Sequence, residues 1–221
     1  MFRPIAYFKS PFPSKFGIPK QAGLVKDLKG EIIFESEFRN VDALRGLEEF
    51  DYVWLIWGFS ANPHESNSLV VRPPLLGGNK KMGVFATRSP FRPNPIGLSS
   101  VRLVGIDYDC DDGPVLRVAG GDLMDGTPIY DIKPYIVYAD SHPEARSGFV
   151  DTNQIQRLKV VFPDDVANML TNEQMKLLSD VLSLDPRPHY QHDADKIYGM
   201  PFEGGDVKFR VENGVCYVLS L

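Results

Sequence analysis

The sequence predicts a mainly β protein, with a β-barrel-like first domain over residues 1–162 and a small α+β domain over residues 163–221. In the first part, many short apolar stretches follow one another with almost no helical pattern between them, which favours a barrel or closed sheet. No GxGxxG motif follows a predicted strand, so a Rossmann nucleotide-binding fold is not indicated. The composition changes near Phe162, and one amphipathic helix and one hairpin follow.

The predicted strands of the first domain are short and separated by turns rich in Pro, Gly and Asp. A brief helix is predicted over Val41–Leu47, broken near Gly46. The stretch Tyr52–Phe59 is apolar at nearly every position, which predicts a central strand buried on both faces. The other predicted strands are Arg3–Lys9, Glu31–Glu35, Gly83–Thr87, Leu98–Ile106, Val115–Ala119, Ile129–Val137 and Arg157–Phe162.

The second domain is predicted from one helix and one hairpin. Thr171 and Gln174 have the spacing of a capping box, in which each side chain bonds the backbone N–H of the other residue. An apolar stripe follows, so we predict a helix over Thr171–Leu184. The tail of the chain alternates between apolar and polar residues and turns at Asn213-Gly214, the strongest short-range hairpin signal.

The composition excludes several classes of protein. Of the 221 residues, 43% are hydrophobic and 24% are charged, as in soluble globular proteins. The longest apolar run, Tyr52–Trp57, is too short to cross a bilayer, and no signal-peptide pattern is present. Cys110 and Cys216 indicate neither a disulfide framework nor a zinc site, which favours a reduced, cytoplasmic compartment.

The charge is unevenly distributed along the chain. The net charge of −5 argues against a nucleic-acid partner, because phosphate binding uses Lys and Arg. The distribution of charge matters more than its sum, however, and the sequence is compatible with a basic face on an acidic protein. Six basic residues lie within 31 residues of one another: Arg72, Lys80, Lys81, Arg88, Arg92 and Arg102.

A proline-rich loop connects two of the predicted strands. Three prolines occur in six residues, at positions 90, 93 and 95, with Arg88, Arg92 and Asn94 among them. Because each proline restricts its own backbone and that of its predecessor, such a loop loses little entropy when it binds a ligand. Its guanidinium groups suit a carboxylate or a phosphate. The loop is therefore either a preordered binding site or a surface turn whose arginines are only solvated.

Four segments carry a family resemblance, in order along nearly the whole chain: Pro19–Lys26, Met82–Leu103, Gly121–Tyr135 and Asp185–Pro188. Together they resemble the TrmO family (also called TsaA or YaeB), which methylates transfer RNA with S-adenosylmethionine. The second segment contains the proline-rich loop and is the longest match. Long matches in the family's order make the resemblance specific.

The resemblance implies a β-barrel methyltransferase that works as a homodimer, with the methyl donor bound near the subunit interface. The implied substrate is the threonylcarbamoyl-modified adenosine next to the anticodon, methylated on its exocyclic nitrogen. The sequence departs from many relatives at Ser60, where they have histidine, and Ala61–Val70 matches poorly. Carried over by position, the donor contacts are Gln21, Gly23, Leu24, Arg88, Ser89, Leu98, Asp125, Gly126 and Thr127.

Three aspartates in the third segment are candidates for chemistry: Asp122, Asp125 and Asp131. The accepting nitrogen is acylated and therefore a poor nucleophile while it is protonated. We hypothesise that Asp125 or Asp131 removes or polarises this proton as the methyl group is transferred. Alternatively, Asp125 only stabilises the turn that it forms with Gly126, by bonding its own backbone.

Basic residues are the candidates for RNA contacts. Arg88 and Arg92 would bind the threonyl carboxylate or the loop phosphates, with Asn94 beside them, since a loop base must be splayed out of the stack to be read. Lys133 is suited to neutralise a carboxylate. The second domain, with Arg187 in its Asp-Pro-Arg-Pro motif, would help to select the RNA.

Two other functions remain open. In the first alternative, the protein is a module that binds the methyl donor or RNA and catalyses no reaction. It is also compatible with a metal-dependent hydrolase centred on His189 and His192, with Asp193 and Asp195 nearby. That segment supplies no third ligand at a fixed spacing, so no metal is predicted.

Overall fold

The computed structural model describes residues 2–61, 68–111, 113–153, 155–188 and 193–221. No helix in these ranges is long and apolar enough to span a membrane. The helices are α1 (Val137–Asp140), α2 (Asp164–Ala167) and α3 (Asn172–Ser183). The strands are β1 (Ala6–Lys9), β2 (Lys29–Phe34), β3 (Tyr52–Gly58), β4 (Val70–Val71), β5 (Met82–Gly83), β6 (Ile96–Asp107), β7 (Val115–Ala119), β8 (Thr127–Pro134), β9 (Lys159–Val161), β10 (Tyr198–Phe202), β11 (Gly205–Glu212) and β12 (Val215–Ser220).

Six antiparallel strands form a closed barrel in the order β1-β2-β7-β6-β3-β8, which confirms the predicted barrel. Strand β3 lies between β6 and β8 and is central, as predicted. The prediction that it is buried on both faces is wrong. Val53 and Leu55 are buried in the barrel, whereas Tyr52, on the other face, is 44% exposed. The outer face of a single-layered barrel contacts solvent, so only alternate residues are buried.

The strand predicted over Gly83–Thr87 is largely absent. Of these residues only Gly83 lies in a strand, β5, which pairs with β4 outside the barrel. A 3₁₀ turn follows over Val84–Ala86, and both the N–H and the hydroxyl of Thr87 donate to the Val84 carbonyl, at 3.1 and 2.9 Å. These local bonds replace the pairing that a strand would need. The proline-rich loop is therefore preceded by a tight turn.

Two other predicted elements differ in their ends. The helix expected over Val41–Leu47 is a 3₁₀ turn over Val41–Leu44, followed by Gly46 at φ 83° and a second 3₁₀ turn. Strand β8 ends at Pro134, and Val137 instead begins the single turn of α1.

The second unit consists of a four-stranded sheet, in the order β10-β11-β12-β9, with α2 and α3 beside it. The predicted capping box is confirmed: Thr171 Oγ1 accepts from the Gln174 N–H, and Gln174 Oε1 accepts from the Thr171 N–H. The hairpin at Asn213-Gly214 is also confirmed, by the pairing of β11 with β12. Strand β9 lies within residues 1–162, the range predicted for the first domain, but it pairs with β12 in the sheet of the second unit.

The connection between β1 and β2, residues 10–28, packs on the second unit. A Cβ atom at Gly17 would lie 2.5 Å from the sulfur of Met200, so the backbone there contacts β10 directly. Arg157 donates to the carbonyl oxygen of Leu24 at 3.0 Å. The connection also contributes apolar side chains to the core that contains Leu182 and Phe209: Phe12, Val25 and Leu28, with Phe16, Ile18 and Leu24 partly buried beside them.

Candidate functional site

Three of the four resembling segments meet at one end of the barrel. The strand register brings the end of β1, the start of β2, the end of β7 and the start of β8 to this end. Arg88 Nη1 donates to Gln21 Oε1 at 2.7 Å, the Ala22 N–H donates to the Asp122 carboxylate, and the Gly23 N–H donates to the Gly120 carbonyl at 2.8 Å. The structure therefore brings together Gln21, Gly23 and Arg88 of the predicted donor contacts.

A hydrogen-bonded chain connects Asp122 with the interior of the barrel. Trp57 Nε1 donates to Ser99 Oγ at 3.0 Å, and Ser99 Oγ donates to Asp122 Oδ1 at 2.6 Å. Burial raises the pKa of the Asp122 carboxyl, although the bonds from Ser99 and from backbone N–H groups oppose the shift. Trp57 approaches closely because its partner across the sheet is Gly97, where a Cβ would lie 2.2 Å from the indole.

This series of hydrogen bonds was not predicted from the sequence. The sequence indicated Asp122 as a candidate for chemistry, but it predicted only a buried strand over Tyr52–Phe59, which contains Trp57, and it gave Ser99 no role. The signal that was available is the small residue Gly97, two positions before Ser99 on the facing strand, but its pairing with Trp57 depends on a register that the sequence does not define.

The proline-rich loop is held by its own hydrogen bonds. Arg92 Nη1 donates to the carbonyl of Thr87 at 3.1 Å and to that of Ser89 at 3.4 Å. Ser89 Oγ accepts from the Phe91 N–H at 3.2 Å. Asn94 is exposed. Of the two arginines in the loop, Arg88 reaches the Gln21 segment, whereas Arg92 contacts the loop itself.

The turn that precedes β8 is bonded to the end of β1. Asp125 Oδ1 accepts from the Ser10 N–H at 3.0 Å, and the Gly126 N–H donates to the Phe8 carbonyl at 2.8 Å. The hydroxyl of Thr127, which is 3% exposed, donates to the Met124 carbonyl at 2.7 Å. The Asp125 side chain is exposed, and its bond is to a neighbouring segment of backbone rather than to its own turn.

Three predicted residues lie on the outer face of the barrel. Asp131 and Leu98 are both register partners of Ile56, one on each side of β3. Leu98 is 54% exposed. Asp131 Oδ2 forms an ion pair with Lys133 Nζ at 2.8 Å, so the carboxylate that Lys133 neutralises is that of Asp131. The predicted residues thus form two groups, one at the end of the barrel and one on its outer face.

The predicted RNA contact in the second unit is paired within the protein. Arg187 Nε and Nη2 donate to the two carboxylate oxygens of Asp185 at 2.8 and 2.9 Å, and the Arg187 side chain is 11% exposed. Burial raises the pKa of Asp185, but the bonds and charge of Arg187 outweigh it, and the net shift is downward. A direct contact between this guanidinium and RNA would require the pair to open.

The alternative metal site cannot be compared with the structure in the same way. His189 and His192 lie outside the described residues, as do positions 62–67 of the poorly matching segment. Among the residues that are described, no group of three or more His, Cys, Asp or Glu side chains is arranged to hold a metal ion.

The fold and the site together define a two-unit, non-Rossmann β-barrel protein with a cluster of sequence motifs at one barrel end. The sequence model of the tRNA-methyltransferase O N-terminal domain matches residues 7–141. The model of the TrmO C-terminal domain matches residues 155–221. The chain belongs to the TrmO family.

Individual relatives agree with this assignment. The chain is 37% identical to a tRNA (adenine(37)-N6)-methyltransferase of Escherichia coli K12, over 100% of this chain and 97% of that protein. It is 40% identical to a putative S-adenosylmethionine-dependent methyltransferase, RcsF, of Pseudomonas aeruginosa, over 89% of this chain and 86% of the other. The crystal structure of TrmO from Pseudomonas aeruginosa superposes with a TM-score of 0.76 at 32% identity, over 100% of this chain and 97% of that one.

Proposed function

We propose that the protein transfers a methyl group from S-adenosylmethionine to N6 of adenosine 37 in transfer RNA. The observation that carries the proposal is the junction of the motif segments at one barrel end, where Gln21, Arg88 and Asp122 converge. The full-length similarity to a relative named for this reaction supports it. Both cysteines are free thiols, which supports a cytoplasmic location for the enzyme.

The residues at the barrel end fit the proposed methyl donor. S-adenosylmethionine presents a ribose, an adenine and an amino-acid end, and it supplies an electrophilic methyl group on a sulfonium. The Gln21 amide and the Arg88 guanidinium offer donors and an acceptor that these groups need. At Gly23 and Gly126 no atom lies within 4 Å of the position of a Cβ, so both backbones have open space on that side. Leu24, Ser89, Asp125 and Thr127 would complete the site.

The substrate that we propose carries the threonylcarbamoyl modification on the accepting nitrogen. This feature comes from the family resemblance, and the loop arginines support it, because a guanidinium recognises a carboxylate through two parallel bonds. Arg88 is exposed and bonded to the Gln21 amide, and Arg92 is bonded to carbonyl oxygens of its own loop. Within the described part of the chain, neither guanidinium would have to leave an ion pair to bind a carboxylate. Asn94 and Lys133, both exposed, would contact the RNA. Arg187, which is paired with Asp185, would contribute to RNA recognition indirectly, by stabilising the second unit.

Removal of the proton from the acylated nitrogen is assigned to Asp125 rather than to Asp131. Asp125 is exposed at the barrel end, whereas Asp131 is occupied by Lys133 on the outer face. A general base contributes about 10²–10⁴-fold to the rate. We expect Asp125→Asn to lower the single-turnover rate by about this factor and Asp131→Asn to change it little. Equal rates for Asp125→Asn and the wild type would contradict the assignment.

We propose that the enzyme is a homodimer whose interface covers the outer face beside the loop. Three large apolar side chains there are exposed: Phe85 (74%), Phe91 (47%) and Leu98 (54%). Large apolar side chains exposed close together in the sequence are typical of an interaction surface. A partner subunit would also bring the outer-face group of predicted residues to a donor site. Leu98→Asp should shift the protein to monomers in sedimentation equilibrium and weaken donor binding, and an unchanged dimer would contradict this interface.

The function is tested by transfer of a labelled methyl group from S-adenosylmethionine to RNA prepared with and without the threonylcarbamoyl modification. Label on the modified RNA alone supports both the reaction and the substrate. Label on both RNAs supports the reaction and refutes the requirement for the modification. Donor binding without label on either RNA would favour the non-catalytic module, and absence of donor binding would refute the proposed function.

A further inference from the structure

We infer that Asp122 is a positioning residue for the methyl donor, which holds the Gln21–Gly23 turn in its binding conformation through the chain Trp57–Ser99–Asp122. The inference deepens the proposed function and rests on it. Asp122 is absent from the donor contacts that the resemblance implies, and its carboxylate is bonded to the protein on both sides: to the barrel interior through Ser99 and to the turn through Ala22.

The direction of the hydrogen bonds in this chain is fixed by chemistry. An indole N–H only donates, so Ser99 Oγ accepts from Trp57 and turns its own hydrogen towards Asp122. The Ala22 N–H also donates to Asp122. Two donors, one from the barrel and one from the turn, therefore meet on one side chain. A carboxylate, which only accepts, satisfies both of them at once.

The turn held in this way has three attachments to the barrel. Gln21 is bonded by Arg88, Ala22 by Asp122 and Gly23 by the Gly120 carbonyl. Only the attachment through Asp122 continues into the barrel interior. The rest of the connection, residues 10–28, packs on the second unit, so Asp122 aligns a segment carried by one unit with the barrel of the other.

Asparagine at this position is a poor replacement for aspartate. It lacks the negative charge that strengthens both bonds, and its amide has a single acceptor oxygen, which the Ser99 hydroxyl and the Ala22 N–H would have to share. Loss of a hydrogen bond to a charged group in a site that must be preorganised weakens binding by about tenfold or more. We therefore expect Asp122→Asn to raise the Kd and the KM for S-adenosylmethionine at least about tenfold. The kcat at saturating donor should change less than KM does, because the lost interaction is equally present in the ground state and the transition state.

The protein offers a matched control at a second aspartate, Asp140. This carboxylate also accepts from an indole, Trp54 Nε1 at 3.0 Å, and from a backbone N–H, that of Ile136 at 2.8 Å, but on the outside of the barrel. Asp140→Asn makes the same chemical change away from the Gln21–Gly23 turn. It should leave the affinity for the donor at the wild-type value.

The experiment is isothermal titration of S-adenosylmethionine into the wild type, Asp122→Asn, Asp140→Asn and Ser99→Ala, with the melting temperature of each protein recorded. Weakened binding in Asp122→Asn and, to a smaller degree, in Ser99→Ala supports the inference if both proteins are folded. If Asp122→Asn has a lower melting temperature but binds the donor with unchanged affinity when folded, the inference is overturned. The hydrogen bonds from Trp57 to Asp122 would then serve only the stability of the protein. Should Asp122→Asn fail to fold, wild-type affinity in folded Ser99→Ala would overturn the inference as well.

The same titration separates the inference from the function on which it rests. If the wild type binds S-adenosylmethionine and Asp122→Asn binds it equally well, the inference fails and the proposed function stands. If the wild type does not bind S-adenosylmethionine, the proposed function is refuted and the inference falls with it.

Discussion

Replacement of Gly97 by alanine tests the close packing on which the barrel end depends. The added Cβ would lie 2.2, 2.4 and 2.6 Å from three atoms of the Trp57 indole. These distances are far inside van der Waals contact, and the contacted atoms belong to a rigid ring that is 7% exposed. The indole must therefore move.

The magnitude follows from two effects. Overpacking of a core costs about 1–3 kcal/mol. Displacement of the indole also breaks the bond from Trp57 Nε1 to Ser99 Oγ, which contributes about 0.5–1.5 kcal/mol. Together, the two effects should make Gly97→Ala lower the free energy of unfolding by about 1.5–4.5 kcal/mol.

The assay is equilibrium unfolding in urea, with the fluorescence of the two tryptophans as the signal. Gly105→Ala is the control, because Gly105 lies on the same strand and has no atom within 4 Å of its Cβ position. That variant should be neutral or more stable by up to about 1 kcal/mol, since alanine restricts the unfolded chain. If both variants have the same stability, within about 0.5 kcal/mol, the packing argument is refuted.

Three further predictions concern stability. Burial raises the pKa of Asp122, so its ionisation opposes folding: the free energy of unfolding of Asp122→Asn, relative to the wild type, should rise from acid pH to neutral pH in urea titrations, and a pH-independent difference would contradict this. Arg187→Gln breaks the partly buried, two-bond pair with Asp185 and should cost about 1–3 kcal/mol, whereas Lys133→Gln, in an exposed pair, should cost less than about 1 kcal/mol; equal costs would refute the contrast. Thr171→Ala removes the capping box and should cost about 1 kcal/mol in the same assay, and an unchanged stability would contradict a role of this cap in α3.

Local signals made much of the fold predictable. The capping box at Thr171 and the turn at Asn213-Gly214 are determined by a few adjacent residues, and both are confirmed. The strand expected over Gly83–Thr87 is wrong because the Thr87 side chain bonds backward to Val84, and β-branched residues suit a strand equally well in isolation. The burial of both faces of β3 was predicted wrongly because apolar residues on a strand do not show whether another layer covers its outer face.

The sequence predicted which segments contribute to the site, but not which side chains contact one another. The resemblance identified the stretches that contain Gln21 and Arg88, and the structure adds that these two side chains are in contact. The chain from Trp57 to Asp122 joins residues 42 and 23 positions apart through the register of the barrel. Its bonds therefore follow from the closed sheet and from no local pattern.

The packing of residues 10–28 on the second unit has a consequence for synthesis of the chain. Phe12 and Val25 share a core with Leu182 and Phe209, which are synthesised after all of the barrel strands. Loop closure over such a separation is slow, because the entropy is lost before the contacts are made. The barrel strands can pair earlier, but the Gln21–Gly23 turn acquires its support only once the second unit has been synthesised. A nascent chain with a formed barrel would thus still lack an ordered donor site, and activity would appear only after the second unit has folded.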